Sequence, residues 1–427
     1  MEKCKLGFAD TVITPSHPNC LYLDGYGFRV KPAEAVRDDL HAKVIAIVSG
    51  NQTYLVFSLD LVGLRSKVYE LVAAQITSLT GIPRDHMALT CIHSHAAPAT
   101  GLIDELPIQY DYFAYVGECC GRAALRAIER ACPGTFRFEI LPQKLTHSYN
   151  RRKREVIDRT IRAATFRDET GNLRGVLCTA ACHAVINTTY DISADWLSEL
   201  NKLSSDELPY IYFQGRCGDI DPYFEGPLTI DEKIGMLGRE LTDAVEEMVG
   251  ANHTGTQLCG EVVWREEAVR IPMMALTDTQ SLKEDILAHE KAYFAADPAD
   301  VKKHYNLRKL QWLRRMLRRA ENGEDSDITV TLQYLAIGKQ CVFAFIPFEV
   351  LTLTGNKLED IFAAGFPREA IYICAYANSV EGYLAPVEEF PYGGYEVINA
   401  AAWYNTSRTC PESEGAVLRW FEAQLPD

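Results

Sequence analysis

The sequence contains no Cys-x-x-Cys pair, and its 13 cysteines are an odd number without paired spacing. That excludes a zinc ribbon and argues against a disulfide framework. Cys91, Cys178, Cys182, Cys341 and Cys374 lie inside apolar runs, where cysteine behaves as a small hydrophobe. Reduced thiols predict a cytoplasmic protein, in which the sequons at Asn187 and Asn405 mean nothing. No stretch approaches the ~20 apolar residues that cross a bilayer. Residues 1–7 lack the apolar segment of a secretory signal, so neither export nor a membrane anchor is expected. Positive charge is also short. The 43 basic residues against 58 acidic ones give a net charge of −15, and no nucleic-acid partner is expected. No repeat of solenoid period and no low-complexity linker is visible.

What is present is a globular composition, 47% hydrophobic and 24% charged over 427 residues. That is enough for one large core, and we read residues 1–427 as a single catalytic domain with a helical insertion at about 277–321. Residues 42–48 and 53–59 flank a hairpin-like turn. Residues 65–79 carry apolar positions at helical spacing, ended by Gly81 and Pro83. Further helices are expected at 111–131, 229–249, 350–364 and 412–424. Strands are expected near 136–141, 161–166, 174–181, 209–214, 257–271, 328–337, 340–346 and 370–376, with an irregular loop to about 397. Hairpins mixed with strand–helix–strand units predict an α/β fold, with α+β as the alternative: mixed sheets flanked by helices. Residues 302–319 form a basic helix, and the acidic run after it favours a solvated face over an anion-binding one.

The tripeptide His93-Ser94-His95 ends the apolar run 87–92. A strand ending in His-x-His turns both imidazoles to one side, which is the start of a zinc site. His183 ends a second apolar run. Glu349 stands where the apolar run 345–348 stops, and Tyr383 lies just beyond the strand-like 371–375. Loops at strand ends are where sites tend to be built. Each histidine taken alone also fits a hydrogen-bonded core residue.

A series of short blocks, in order through nearly the whole chain, resembles the neutral, non-lysosomal ceramidase superfamily and its shorter bacterial members. Residues 7–15 (Gly-Phe-Ala-Asp-Thr-Val-Ile-Thr-Pro) are similar to the family's opening Ala-x-x-Asp-Ile-Thr-Pro. Gly25-Tyr26-Gly27, Asp38-Asp39-Leu40-His41-Ala42 and Ser58-Leu59-Asp60-Leu61-Val62 follow. His93-Ser94-His95-Ala96-Ala97-Pro98 resembles His-Thr-His-Ser-Gly-Pro, and Asn150-Arg151-Arg152 resembles the next block. After His183 come Ile192-Ser193-Ala194-Asp195, Gly218-Asp219-Ile220-Asp221-Pro222, Pro347-Phe348-Glu349, and Tyr383 through Gly394-Tyr395-Glu396.

The resemblance implies one zinc ion per chain, with His93, His183, Glu349 and Tyr383 at the ligand positions. Such a set lowers the pKa of a bound water and leaves a position open. His95 matches a substrate-facing position, with oxyanion hydrogen bonding or support of a ligand as its alternatives. Arg151 matches a site arginine that could clamp substrate, although Arg152, Lys153 and Arg154 continue a basic run. Asp60, Asp195 and Asp219 match acidic positions expected to order loops or support ligands.

Three departures matter. The family's serine three residues before the Gly-Asp block is Gly215 here, and the nearby Cys217 is expected to be a buried, inert thiol. No C-terminal β-sandwich domain is expected within this length. Without a signal or anchor, ceramide itself is not the expected substrate. The expectation is a zinc-dependent hydrolase that cleaves an amide of a small soluble molecule by attack of zinc-bound hydroxide. A hydrolase or lyase acting on an ester, sugar or polyol, and a non-catalytic zinc-containing binding protein, are the alternatives. A homo-oligomer is compatible with all of them.

Overall fold

The computed structural model describes residues 4–102, 106–152, 155–251, 255–276, 278–297 and 300–425, with only the backbone of Val301 and Lys302. Residues 1–3, Lys153 and Arg154 lie outside the described residues.

Three sheets carry the fold, and each is wound the same way. The first orders β1 (Lys5–Val12), β2 (His41–Ser49), β3 (Gln52–Leu59) and β4 (Met87–Cys91) as β1-β2-β3-β4. Its first two pairings are antiparallel and the third is parallel, reached through the helix Ser66–Thr80. The second repeats this with β5 (Gly134–Leu141), β6 (Ile161–Asp168), β7 (Leu173–Ala180) and β8 (Tyr210–Gln214), and adds the short β9 (Thr256–Gln257) beside β5. The third repeats it again with β10 (Val262–Ile271), β11 (Ile328–Ile337), β12 (Cys341–Phe345) and β13 (Ile371–Cys374), where the helix Thr352–Phe362 makes the crossover.

Side-chain alternation divides the interior. In β2, Ile45 and Ile47 join Phe8, Phe166, Phe213, Phe343 and Tyr372 in one cluster that draws on all three sheets. Val44 and Ala46, on the opposite face of β2, join the larger cluster that includes the helices, such as Val68, Val72 and Ile76 of Ser66–Thr80. The period of two in strands and 3.6 in helices produces this sorting, and each fully buried Val or Ile contributes about 1.5–3 kcal/mol. Among the described residues no helix is long and apolar enough to cross a membrane. All 13 cysteines are unpaired.

The sequence reading missed β1, an edge strand whose text is broken by Gly7 and Asp10. The expected strand 257–271 is two strands in different sheets, divided at Gly260. The expected loop to about 397 contains a 3-10 turn at Val387–Tyr392 and runs into a π-helical turn at Tyr395–Asn399, and a short helix follows at Ala401–Tyr404.

The basic helix Val301–Glu321 corrects the expectation of a solvated face at Arg308 and Lys309, while Arg314 and Arg318 are exposed as expected. Arg308 is buried and donates from Nε to the Ala402 carbonyl (3.1 Å) and from Nη2 to the Trp403 carbonyl (3.0 Å). Lys309 is buried too, within 3.2 Å of Asn399 Oδ1, and burial drops its ammonium to about 8. Trp312 Nε1 donates to Thr406 O at 2.7 Å. This helix is a strap over residues 399–406. Charge periodicity alone does not distinguish a strap from a solvated face, because long basic side chains can bury their stems and spend their nitrogens on backbone carbonyls.

Candidate metal centre

The strand ends of all three sheets meet at one end of the shared core. Gln214, at the end of β8, is fully buried there. Its Nε2 donates to Ile92 O (2.9 Å) and Cys182 O (3.0 Å), and its backbone carbonyl accepts from Ala375 N (3.0 Å). This one residue ties the segments after β4, β7 and β13. Just beyond it, His93 follows β4, His183 follows β7 and Glu349 follows β12.

His93 does not arrive by strand alternation. β4 ends at Cys91, and His93 sits at φ 65°, in the left-handed region. Asp195, Tyr376 and Asn378 also have positive φ, so sparsely populated backbone gathers around the site, at about 1–3 kcal/mol each. The imidazoles still converge, with His93 Nε2 and His95 Nε2 3.0 Å apart.

His93, His183 and Glu349 are buried, and their ligand atoms all lie within 4.8 Å of one another. Glu349 Oε2 is 3.1 Å from His183 Nε2 and 3.4 Å from His93 Nε2. Both histidines are oriented from behind. His93 Nδ1 is 2.5 Å from Val62 O, and His183 Nδ1 is 2.9 Å from Ile220 O. A proton on each Nδ1 leaves each Nε2 lone pair facing Glu349, as a metal-ligating imidazole requires. Tyr376 donates to Glu349 Oε2 at 2.9 Å, and the Tyr404 hydroxyl donates to Oε1.

Burial pushes His93 down to about 4, against the pull of Glu349. Burial would raise Glu349, but the two imidazoles and the hydrogen bonds from His183 and Tyr404 hold it well below the usual carboxylate range. Without a metal, Cys217 and Glu349 raise His183 against its own burial, and a bound metal ion would take the place of that proton on Nε2. The cluster is thus an anionic oxygen between imidazoles, a donor set that fits one divalent metal ion and suits zinc.

The other expected residues fall around this group. His95 is partly buried, its buried Nδ1 has no hydrogen-bond partner, and desolvation, then the neighbouring His93 and His183, hold it well below its ordinary pKa. Gly25, at φ 91°, lies so close that a Cβ would stand 2.4 Å from His95 Cγ. Tyr383 pairs with Glu349 in a short parallel bridge, and its hydroxyl accepts from Arg151 Nη2 at 3.0 Å. Arg151 stands behind Tyr383, with Glu396 Oε1 at 2.8 Å, Asp221 Oδ1 at 3.2 Å and Gly218 O at 2.7 Å. Asp219 accepts from Thr352 N (2.8 Å) and Asn150 Nδ2 (2.7 Å), joining the Arg151 segment to the element after Glu349. Asp195 accepts from Asn187 N (2.6 Å) and precedes Trp196, whose Nε1 donates to His183 O (3.2 Å). Asp60 accepts from His41 N (2.8 Å) and Asn201 Nδ2 (2.7 Å) and heads the segment that holds His93. None of these three aspartates hydrogen-bonds a histidine or glutamate of the cluster.

Gly215 lies elsewhere. A Cβ there would stand 2.7 Å from Ala180 O, and the residue faces the Arg162–Arg216–Glu359 ion cluster. Cys217 is buried, with Sγ 3.1 Å from the Tyr376 hydroxyl. Beside the cluster is a cavity of ≈ 250 Å³ that His93, His95, Glu349 and Tyr383 line in part. Tyr305, Trp403 and Tyr404 also line it, and the sequence reading singled out none of them. Neither did it single out Tyr376, although a tyrosine two residues beyond the apolar strand β13 is the same strand-end signal that marked Glu349.

No family model and no curated protein matches the chain. Solved structures do. The crystal structure of neutral ceramidase from Pseudomonas aeruginosa superposes with a TM-score of 0.74 at 17% identity, over 100% of this chain and 76% of that one. A ceramidase complexed with C2 gives a TM-score of 0.73 at 16% identity, with the same coverage. The protein is of mixed α/β class, with a buried His-His-Glu group at its strand ends. Its fold is neutral-ceramidase-like.

Proposed function

We propose that this protein is a zinc-dependent hydrolase that cleaves an amide bond of a small molecule. The observation that carries this reading is the pair of imidazoles locked through Nδ1 onto backbone carbonyls, with both Nε2 atoms turned to the ionised Glu349. His93, His183 and Glu349 would hold the metal, and Tyr383 would complete the set, its oxygen supported by Arg151. A zinc ion there supplies Lewis acidity and an activated water.

The chain's own groups do the rest. Tyr376 and Tyr404 fix the carboxylate of Glu349 by two hydrogen bonds. His95 lines the cavity with its Nε2 3.0 Å from His93 Nε2, on the side where it would hydrogen-bond the carbonyl oxygen as charge develops on it. Loss of one such donor typically lowers kcat ~10²–10³-fold. Arg151, held by a carboxylate on either side, is a positioning residue for Tyr383.

The test is a panel of amides and esters with metal-replete protein, metal-stripped protein and the His95→Ala variant. Turnover of amides that is lost on stripping, restored by zinc and lowered in His95→Ala with metal content unchanged is expected. No turnover by metal-replete protein across the panel would overturn the reading in favour of a metal-containing binding protein.

A further inference from the structure

We propose that the cavity beside the metal centre selects a compact, uncharged amide carrying a flat aromatic ring, and gains nothing from a long acyl chain. This deepens the amidase reading, but its test reads binding, so the two can fail separately.

Size is the first argument. The cavity measures ≈ 250 Å³, below the roughly 300–1,000 Å³ of pockets that enclose drug-sized ligands. A chain longer than the cavity runs out into water and buries no further surface.

Charge is the second. Among the described residues no lysine, arginine or aspartate lines the cavity, and Glu349 is its only carboxylate. In the metal-stripped protein a charged ligand would lose its hydration without meeting a side-chain partner, and an anion would face Glu349.

The third argument is what the tyrosines present. Tyr26 donates its hydroxyl to Val185 O at 2.5 Å, and Tyr305 donates to Asn399 Oδ1 at 3.3 Å. Tyr383 and Tyr404 are engaged with Arg151 and Glu349. These four hydroxyls face protein partners, so their rings rather than their hydrogen-bonding groups meet the ligand, and Tyr395 adds a fifth ring beside Tyr383. A sugar or polyol would call for more open hydroxyls than these four tyrosines leave. Val62 and Leu102 add aliphatic surface. Rings pair well with rings, offset or edge-on.

The wall that sets the size comes from two remote segments. Tyr305 belongs to the strap helix, and Trp403 lies in the segment that helix holds, their ring centroids 6.3 Å apart. Gly27 permits this, because a Cβ there would stand 2.6 Å from the Trp403 ring. Trp403 and Tyr305 are therefore the specificity-determining pair.

The experiment is equilibrium binding to metal-stripped full-length protein, by calorimetry and tryptophan fluorescence. The probes are benzamide, benzoate and straight-chain amides from butanamide to decanamide. Benzamide is expected to bind about tenfold or more tighter than benzoate. Alkyl affinity should rise about fourfold per buried methylene and then level off before decanamide. Trp403→Ala and Tyr305→Ala should each weaken benzamide by about tenfold with zinc content after reloading unchanged. Gly27→Ala, which displaces Trp403 without removing it, should do the same. Affinity that keeps climbing to decanamide, benzoate binding as tightly as benzamide, or no binding by any amide would each overturn the proposal. Tight benzamide binding without turnover of any amide would leave the pocket standing and sink the hydrolase.

Discussion

Arg308→Ala separates a strap from a solvated basic face. Arg308 donates to two consecutive carbonyls, those of Ala402 and Trp403, at 3.1 and 3.0 Å, and its side chain is buried. Truncation strands both acceptors beneath the helix, at about 1–3 kcal/mol for each group left without a partner. It also removes the packing of the aliphatic stem. Because the Trp403 carbonyl bond is only partly buried, a loss of about 2–4 kcal/mol follows. Arg318, an exposed residue of the same helix, is the control: Arg318→Ala should change stability by less than about 0.5 kcal/mol. Urea unfolding followed by near-UV circular dichroism measures both, because that signal reads aromatic packing. Equal, small effects for the two variants would refute the strap, and with it the account of how Trp403 and Tyr404 are positioned.

Tyr404→Phe keeps the ring but removes a donor to Glu349, so zinc affinity should fall about 10–100-fold; a competition titration giving the wild-type value would contradict this. Gly25→Ala drives a Cβ into the His95 ring, so kcat on any amide found should drop about 10²-fold with zinc retained, and unchanged kcat would remove His95 from the reaction. The Asp10–His41 pair, 2.8 Å apart, gives a pH signature. Burial opposes both charges, but their mutual contact holds Asp10 below its ordinary 3.8 and His41 above its ordinary 6.5. Its contribution is therefore whole between those two values, lost on the acid side as Asp10 protonates and on the alkaline side as His41 deprotonates. The stability difference between wild type and His41→Gln should peak in that window, and a difference independent of pH from 4 to 9 would count against the pair.

Much of the strand and helix order was legible because burial here follows simple periods: β2, β11 and the helix Ser66–Thr80 fall where alternation or helical spacing puts them. The ligand candidates were legible because polar residues interrupt apolar runs at strand ends, as His93, His183 and Glu349 do. The local geometry was not. His-x-His suggested a strand, whereas His93 sits at a left-handed φ and donates its N–H and Nδ1–H to the carbonyls of Leu61 and Val62, some thirty residues earlier. Nor could periodicity find Tyr305 or Trp403. Their place in the cavity depends on Arg308 and Lys309 turning inward onto carbonyls, and a basic helix reads the same whether its charges face water or backbone. β1 was missed for a related reason: its inward residues Leu6 and Phe8 are too few to show alternation.

The most direct test of the central claim is the metal content of the purified protein by elemental mass spectrometry, beside His93→Ala and His183→Ala. The account predicts about one zinc per chain in the wild type and none in either variant. Stoichiometric zinc that survives both substitutions together, or a carefully purified wild type that neither retains nor takes up zinc, would contradict it.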